Sequence, residues 1–508
     1  MIMARNEDGT YSQVGFVKDN AGIDTEYIYD KDGDIVFEKG FTRETSGTVP
    51  LTINGIGKDL KAWSITGNTV QNGTPTPENP VEIQAVGDRT ANLFDNSLLE
   101  QGGWKATAGT IPTKLLPGET NYTHRTRYNQ IIPLLASTLS LYCPANIKIN
   151  YVWIDANGIS LGGSGYQKNG DTATAPEQAV SMTFILGLDS DIECTPSDFS
   201  DINLVAGSIA PESYEPYGYK IPVVTRGKNL FDKENASPKA VTNQGVFVSN
   251  SSYISSNYIS VSPNTTYTKI PIIKSSQFHD LCEYDENKIF IRHIFTANNG
   301  TFTTSEKTKY IVFNIAKFNI DIAQLEKGST ATPYEPYHEP ITTPIYLPTP
   351  LYSGEVLRSD GSREVKWGKI VLTGEEKITF VGTAGTSYRY DFVNIKTISQ
   401  IKYARKNSKI THFEQCDMPT IDVVGYDWHG ASFYLIIITT QSTINKFKDW
   451  LKSQYEAGTP VTVWYQLATP TTETVTVPQI PTLNGTTVID VDTAVKPTEM
   501  YAKYKSSK

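Results

Sequence analysis

Ile147-Lys148-Ile149-Asn150-Tyr151-Val152-Trp153 opens with alternating apolar and polar side chains, and Asp155-Ala156-Asn157-Gly158-Ile159 follows it. Period-two alternation sends every second side chain to one face, which predicts a strand with that face in a core. The Asp-x-Asn-Gly segment reads as a hairpin turn, because Asn and Gly tolerate the positive φ such turns demand. The turn comes back downstream as Asp285-Glu286-Asn287-Lys288-Ile289, and a second apolar β-branched run follows at Lys309-Tyr310-Ile311-Val312-Phe313-Asn314-Ile315.

Two further landmarks recur in the same order around these turns. Asn92-Leu93-Phe94-Asp95 returns as Asn229-Leu230-Phe231-Asp232, and Tyr214-Glu215-Pro216-Tyr217 returns as Tyr334-Glu335-Pro336-Tyr337. The offset shrinks from the first landmark to the last, so the second copy has shorter loops. A repeat of this length is a duplicated domain rather than a solenoid unit. No long 3.6-residue periodicity interrupts either copy, so both are expected to be β-sandwiches.

Pro-rich stretches punctuate the chain at Gly73 to Pro80 and from Pro340 through Pro344, Pro348 and Pro350. Such segments are stiff and are not expected inside a central sheet. Boundaries are therefore expected near 80, 222 and 346. The expected units are an N-terminal β-rich segment (1–80), two sandwich modules (81–222 and 223–345), a C-terminal β-domain with one helix (346–478) and a strand tail (479–508). The helix is expected over Ser442 to Ala457, with Ser442 as N-cap, an apolar stripe of Ile444, Phe447, Leu451 and Tyr455, and Gly458 with Pro460 as its stop. Phe433 to Ile438 and Val461 to Leu467 read as strands around it. Thr487 to Val491 and Glu499 to Tyr504 are strand candidates in the tail. Near the N-terminus, Asp30-Lys31-Asp32-Gly33-Asp34 reads as a hairpin turn. It is not an EF-hand loop, because Gly33 and Thr42 stand where the Gly and Glu spacing of such a loop fails.

Bulk composition excludes several function classes. The chain has 508 residues, 39% hydrophobic and 19% charged, so it is globular and long enough for several cores. A net charge of −9 without a basic stripe argues against nucleic-acid and anionic-membrane binding. The longest apolar run, Phe433 to Ile438, cannot cross a bilayer. The first residues lack the apolar core of a signal peptide. The four cysteines, Cys143, Cys194, Cys282 and Cys416, are far apart in sequence and lack metal-site spacing. They read as buried free thiols, with Cys143–Cys194 as the pair that could bridge.

Gly67-Asn68-Thr69-Val70-Gln71-Asn72-Gly73-Thr74-Pro75-Thr76-Pro77 followed by Asn92-Leu93-Phe94-Asp95 resembles a signature of tail and minor structural proteins of phages infecting Firmicutes-type bacteria. Gln324-Leu325-Glu326-Lys327-Gly328-Ser329-Thr330-Ala331-Thr332-Pro333-Tyr334-Glu335-Pro336-Tyr337 is similar to the closing strand of their carbohydrate-binding-module-like jelly rolls. Phe447 through Glu473 is similar to their C-terminal region. The resemblance spans most of residues 50–505. Copy one departs from it at Val205, where copy two has Glu326. The first 45 residues match least and could dock to other virion proteins.

The resemblance implies tandem jelly-roll-like sandwiches in a protein of the virion exterior: a tail fibre, baseplate or receptor-binding protein, commonly a homotrimer. Such a protein assembles in the host cytoplasm and contacts host cell-wall or surface polysaccharide. The alternatives are a purely structural spacer or capsid-decorating protein, and a cell-surface polysaccharide hydrolase. The hydrolase is disfavoured because none of the six histidines lies in a catalytic motif and no nucleophile elbow is present; Gly163-Ser164-Gly165 reads as a glycine-rich turn. The chain is therefore expected not to be an enzyme and to need no cofactor.

Glycan binding needs a flat aromatic face beside amide or carboxylate hydrogen-bonders. Tyr426-Asp427-Trp428-His429 reads as a loop cluster of that kind, with core packing of Trp428 as the competing reading. Trp104, after Gly102-Gly103, reads as a loop aromatic. Trp153, in the alternating strand, reads as core. Asp189, Asp191 and Glu193 leave calcium open as a loop ligand, against the plainer reading of a solvated strand face.

Overall fold

The computed structural model describes residues 2–5, 11–18, 23–29, 35–43, 51–53, 59–71, 83–271, 281–294, 300–384, 387–392, 415–416, 424–429, 432–439, 441–456 and 460–505. Antiparallel sheets dominate them, and the chain is all-β with one α-helix among the described residues, Ile444–Glu456. None of its described helices is long and apolar enough to cross a membrane.

The first repeat is a sandwich. Its larger sheet places Leu99–Gln101, Thr126–Tyr128, Ser181–Leu188, Ile147–Ile154 and Ser160–Gln167 side by side, and Ile132–Pro133 also pairs with the third of these. The facing sheet is Thr172–Thr174, Thr138–Tyr142 and Asn203–Ala206. Ile147, Ile149, Tyr151 and Trp153 point into the core between them, against Leu139, Leu141, Phe184 and Leu204. The alternation that opens the strand thus selects the core face, and Trp153 lies in the core.

The second repeat repeats this plan. Tyr253–Ser255, Tyr310–Ala316, Leu281–Tyr284 and Phe290–Ile294 form the larger sheet, and Thr301–Thr303, Thr266–Ile270 and Gln324–Lys327 the smaller. Phe231, Leu281, Ile311, Phe313 and Leu325 fill the interior.

The repeated landmarks are hydrogen-bond clasps. Asn92 donates through Nδ2 to the carbonyls of Ile202 and Glu215, and its Oδ1 accepts from the amides of Phe94 and Leu204. Asn229 does the same with Ala323, Glu335, Phe231 and Leu325. One buried amide side chain thereby ties the entry of each module to its closing strand and its exit, and satisfies four backbone groups that burial would otherwise penalise. Asn203 and Gln324 add the matching bond to the amides of Glu215 and Glu335. Glu326 holds the loop at Thr332 through both its amide and its hydroxyl, a tether that copy one lacks at Val205. At the turns, one Oδ1 of Asp155 accepts from Asn157 and Ile159, as Asp285 does from Asn287 and Ile289. The left-handed residue there is Gly158 (φ 76°) in copy one but Lys288 (φ 60°) in copy two.

The segments outside the repeats assemble into a third sandwich. Its nine-stranded sheet runs Ile2–Arg5, Tyr11–Lys18, Ile23–Tyr29, Ile35–Arg43, Glu499–Lys505, Asp59–Thr66, Val356–Arg358, Ser362–Val371 and Thr462–Thr474. The second sheet runs Ile341–Leu347, Tyr219–Arg226, Thr487–Val491 and Leu51–Ile53, and Asp88–Arg89 pairs with Tyr219–Arg226. Leu51, Ile65, Ile221, Val223, Ile345, Leu357, Ile489 and Met500 share its core. The two modules are thus loops of a hub built from the N-terminal, inter-module and C-terminal segments. The tail strand Glu499–Lys505 is interior, paired on both sides. The hairpin expected at Asp30 to Asp34 fits the pairing of Ile23–Tyr29 with Ile35–Arg43; its turn lies outside the described residues.

Three local readings need correction. The Pro-rich segment after copy two is itself a strand, Ile341–Leu347, at the sheet edge, with Pro344 opposite Pro222. An edge position tolerates a residue without an N–H, which reconciles the proline with the sheet. The helix begins one residue later than expected: Thr443, not Ser442, caps it, its Oγ1 accepting from the Lys446 amide and its carbonyl from Phe447. Phe447 and Leu451 are fully buried, whereas Tyr455 at the end of the expected stripe is exposed. Gly163-Ser164-Gly165 is not a turn but part of strand Ser160–Gln167, which shifts register twice against Ile147–Ile154.

A buried ion pair fixes the hub near the exit of module two. Glu355 and Arg363 are both fully buried and 2.8 Å apart. Glu355 also accepts from the amides of Tyr352, Lys366 and Trp367. Arg363 donates to the carbonyls of Thr349 and Pro350 and pairs with Glu473. Cys143, Cys194 and Cys282 are buried free thiols, so the bridge between the first two is not formed.

Candidate functional site

Tyr426, Asp427, Trp428 and His429 do not form a loop. They occupy strand Val424–His429, paired residue by residue with Ser432–Thr439, so that Tyr426 stands opposite Leu435 and Trp428 opposite Phe433. Their side chains lie outside what the structure describes. Successive strand positions alternate between faces, so Tyr426 and Trp428 hold one parity and Asp427 and His429 the other. Trp104 is also in a strand, Trp104–Lys105, in a two-stranded hairpin of module one with Thr113–Lys114. It is half-buried, its Nε1 donates to the Tyr128 carbonyl, and the Arg127 guanidinium lies 6.0 Å from its ring. It is a tethered cover over one end of the module-one sheet.

The outer face of that sheet brings together groups that sequence reading did not single out. Register places Glu100 opposite Arg127, Arg127 opposite Ile185, Ile185 opposite Asn150, and Asn150 opposite Tyr166. These five residues form one cross-strand row over five strands, on the face away from the core. At its open end Tyr166 is 39% exposed, which leaves part of a large amphipathic ring available. Lys148 Nζ lies 4.8 Å and Arg125 Cζ 5.5 Å from the ring centroid. Both cations reach Asp191, Arg125 at 2.5 Å and Lys148 at 3.7 Å. Ser164 Oγ accepts from the Tyr151 amide and donates to the Gly165 carbonyl.

Small residues create this surface. A Cβ on Gly163 would stand 2.8 Å from Asn150 Oδ1, and one on Gly187 would stand 3.3 Å from an Arg125 guanidinium nitrogen. The two glycines let the polar side chains lie down on the sheet. Burial raises the Tyr166 pKa, with Arg125 opposing it, so the ring stays a neutral phenol. The hydrogen bond from Arg125 holds the Asp191 carboxyl below the usual carboxylate range. At the other end of the row, burial would raise Glu100, yet Lys114 and Arg127 hold it low.

Asp189 pairs with Lys168 and Asp191 with Arg125, so these acids are committed to cations rather than gathered as ligands. Among the described residues no group of three or more His, Cys, Asp or Glu side chains could hold a metal ion. The arrangement offers an aromatic face, an amide, a hydroxyl and two cations within one row and its neighbours. That set can stack on a sugar ring, exchange hydrogen bonds with its hydroxyls and attract an anionic substituent. The signal in the sequence was the polar half of the alternation, Lys148 and Asn150, together with Gly162-Gly163-Ser164-Gly165-Tyr166 on the next strand.

Comparison with known protein families, curated proteins and solved structures returns no match.

Proposed function

We propose that this chain is a structural protein of a phage tail, of the fibre, baseplate or receptor-binding type, that contacts host surface glycan through its β-sandwich modules. The observation that carries glycan contact is the row ending at Tyr166. A half-exposed phenol ring there adjoins Asn150, Lys148 and Arg125 on the outer sheet face. The resemblance of residues 67–77 with 92–95, of 324–337 and of 447–473 to phage tail proteins supports the virion context, and so does the plan of two β-sandwich modules carried on one hub. A single such face binds weakly; several chains in one particle multiply weak contacts through high effective concentration. A homotrimer docked to other virion proteins through its N-terminal segment suits that mechanism.

The test is light scattering of the purified chain followed by a pull-down on host cell walls. A trimer that binds walls, and whose Tyr166→Ala variant loses about tenfold in retention while melting unchanged, supports the reading; stacking of one ring accounts for a loss of that order. A folded chain that ignores cell walls refutes glycan contact and leaves a spacer. Trp428→Ala in the same assay tells whether the strand Val424–His429 adds a second platform.

A further inference from the structure

Module two departs from module one at one end of its larger sheet, and the departures are concerted. The shared register aligns the two copies there residue by residue. Ile154 pairs with Ser160 and Ser181 in module one, whereas Tyr284 pairs with Phe290 and Tyr310 in module two. Ile132 pairs with Met182 as Ile259 pairs with Ile311, so Tyr258 stands where module one has Ile131. In the turn, Lys288 stands where module one has Gly158. Five positions that are aliphatic or small in one copy are four aromatics and a lysine in the other.

Those five side chains meet. Tyr258 stands nearly perpendicular to Tyr284 and to Tyr310, at 79° to each, with ring centroids 4.9 and 6.2 Å away. Phe290 meets Tyr284 edge-on at 6.0 Å. Tyr284 is anchored by its hydroxyl to the Gly245 carbonyl, and a Cβ on Gly245 would stand 2.5 Å from the Phe290 ring, so the glycine seats both. Into this corner Lys288 sends its ammonium, 5.1 Å from the Tyr258 ring and 5.8 Å from the Tyr310 ring. Lys288 is exposed, and Tyr258 and Tyr310 are half-exposed, so the corner opens to solvent.

Lys288 occupies its place at a conformational cost. Its φ of 60° is a left-handed conformation that glycine adopts freely and lysine does not. Strain kept at one copy of a duplicated turn, where the sister copy uses glycine, points to a role for the side chain. An ammonium over two phenol faces shows which charge this corner accepts, since the ring quadrupole attracts cations. A primary ammonium is strongly hydrated and gives up much of that hydration on entering. A quaternary ammonium carries its charge on methyl groups and gives up far less.

We propose that Tyr258 and Tyr310, backed by the half-buried Phe290 and the fully buried Tyr284, form an aromatic corner in module two that binds a ligand's quaternary ammonium group, with Lys288 as the built-in cation the ligand displaces. The proposal is independent of the phage reading and of the Tyr166 face. It makes the modules chemically distinct: module one presents cations, and module two accepts one.

The test is titration of the full-length chain with choline chloride, followed by ligand-observed NMR of the methyl resonance, with ammonium chloride at equal ionic strength as reference. Saturable binding of choline but not ammonium is expected. Lys288→Gly, which removes the competitor and relieves the backbone, is expected to tighten choline roughly two- to fivefold. Tyr310→Leu is expected to weaken it at least as much, and Tyr166→Ala to leave it unchanged. Flotation with phosphatidylcholine vesicles then separates the sources of the group: co-flotation assigns a lipid headgroup, and its absence alongside choline binding assigns a soluble or polymer-borne ligand. No saturable choline binding, or a Lys288→Gly chain that binds no tighter than the parent, overturns the proposal.

Discussion

Arg363→Met should open the hub locally without unfolding the modules. The substitution keeps the volume of the side chain but removes the cation 2.8 Å from Glu355, and both groups are fully buried. It also strands the carbonyls of Thr349 and Pro350 and the Glu473 carboxylate, all of which Arg363 serves. Removing one partner of a buried ion pair costs about 3–5 kcal/mol, because the other charge stays desolvated. The amides of Tyr352, Lys366 and Trp367, which donate to Glu355, report the opening directly. Hydrogen exchange of peptides over 349–367, followed by mass spectrometry, should show their protection falling by two orders of magnitude or more, since about 1.4 kcal/mol is a factor of ten. Peptides from the module cores should be unchanged. The double variant Arg363→Met/Glu355→Gln should recover much of the loss, because no charge is then left buried. A fall in protection of less than tenfold in the single variant would refute the assignment of this pair as what fixes the hub near the exit of module two.

Asn92→Ala and Asn229→Ala each delete four hydrogen bonds at one module and should cost about 2–4 kcal/mol, lowering separate calorimetric transitions; a shared transition that shifts equally in both variants counts against two independent clasps. Burial alone would raise the Glu335 carboxyl, but the amide and hydroxyl of Thr486 and the Lys228 ammonium hold it below its ordinary value. The sign follows: the contact of module two with the hub adds stability above the ordinary carboxylate pKa and loses it as pH falls through the lower folded value. Glu335→Gln should therefore lower the melting temperature at neutral pH and flatten its decline on acidification, and an unchanged acid slope contradicts this. Burial pushes the thiols of Cys143 and Cys282 up, to about 11 and about 12, and that of Cys194 up as well. All three should resist iodoacetamide at pH 8 in the native chain and react on unfolding, as read by peptide mapping; rapid native labelling at any of them excludes its buried placement.

Local patterns carried most of the secondary structure. The alternation Ile147-Lys148-Ile149-Asn150 needs only the pleat to divide core from surface, and the Asp155 and Asp285 turns close on their own side chains within five residues. The helix was legible because Phe447 and Leu451 are one turn apart, and its cap slipped by one residue because Ser442 and Thr443 are both competent acceptors. The duplication was legible because each landmark is a short contiguous phrase.

The candidate site was not legible in that way. The row from Glu100 to Tyr166 takes one residue from each of five strands, so it exists only once register is set. Tyr426 to His429 looked like a loop because polar and aromatic residues alternate there, which is equally the pattern of a strand.

The amino-acid sequence by itself determined the all-β class and the duplicated module, because each rests on neighbours within a few residues or on repeated phrases; that the landmarks Asn92 and Asn229 are clasps was decided by bonds to residues about a hundred positions away. Only the tertiary structure decided that Leu51–Ile53 pairs with Thr487–Val491, that the tail strand lies inside the hub sheet, and that a Pro-rich segment closes its edge. Strand pairing is made by generic backbone hydrogen bonds that carry no record of their partner. A partner hundreds of residues away is chosen by which apolar faces can share one core, a property of the whole chain and of no single stretch.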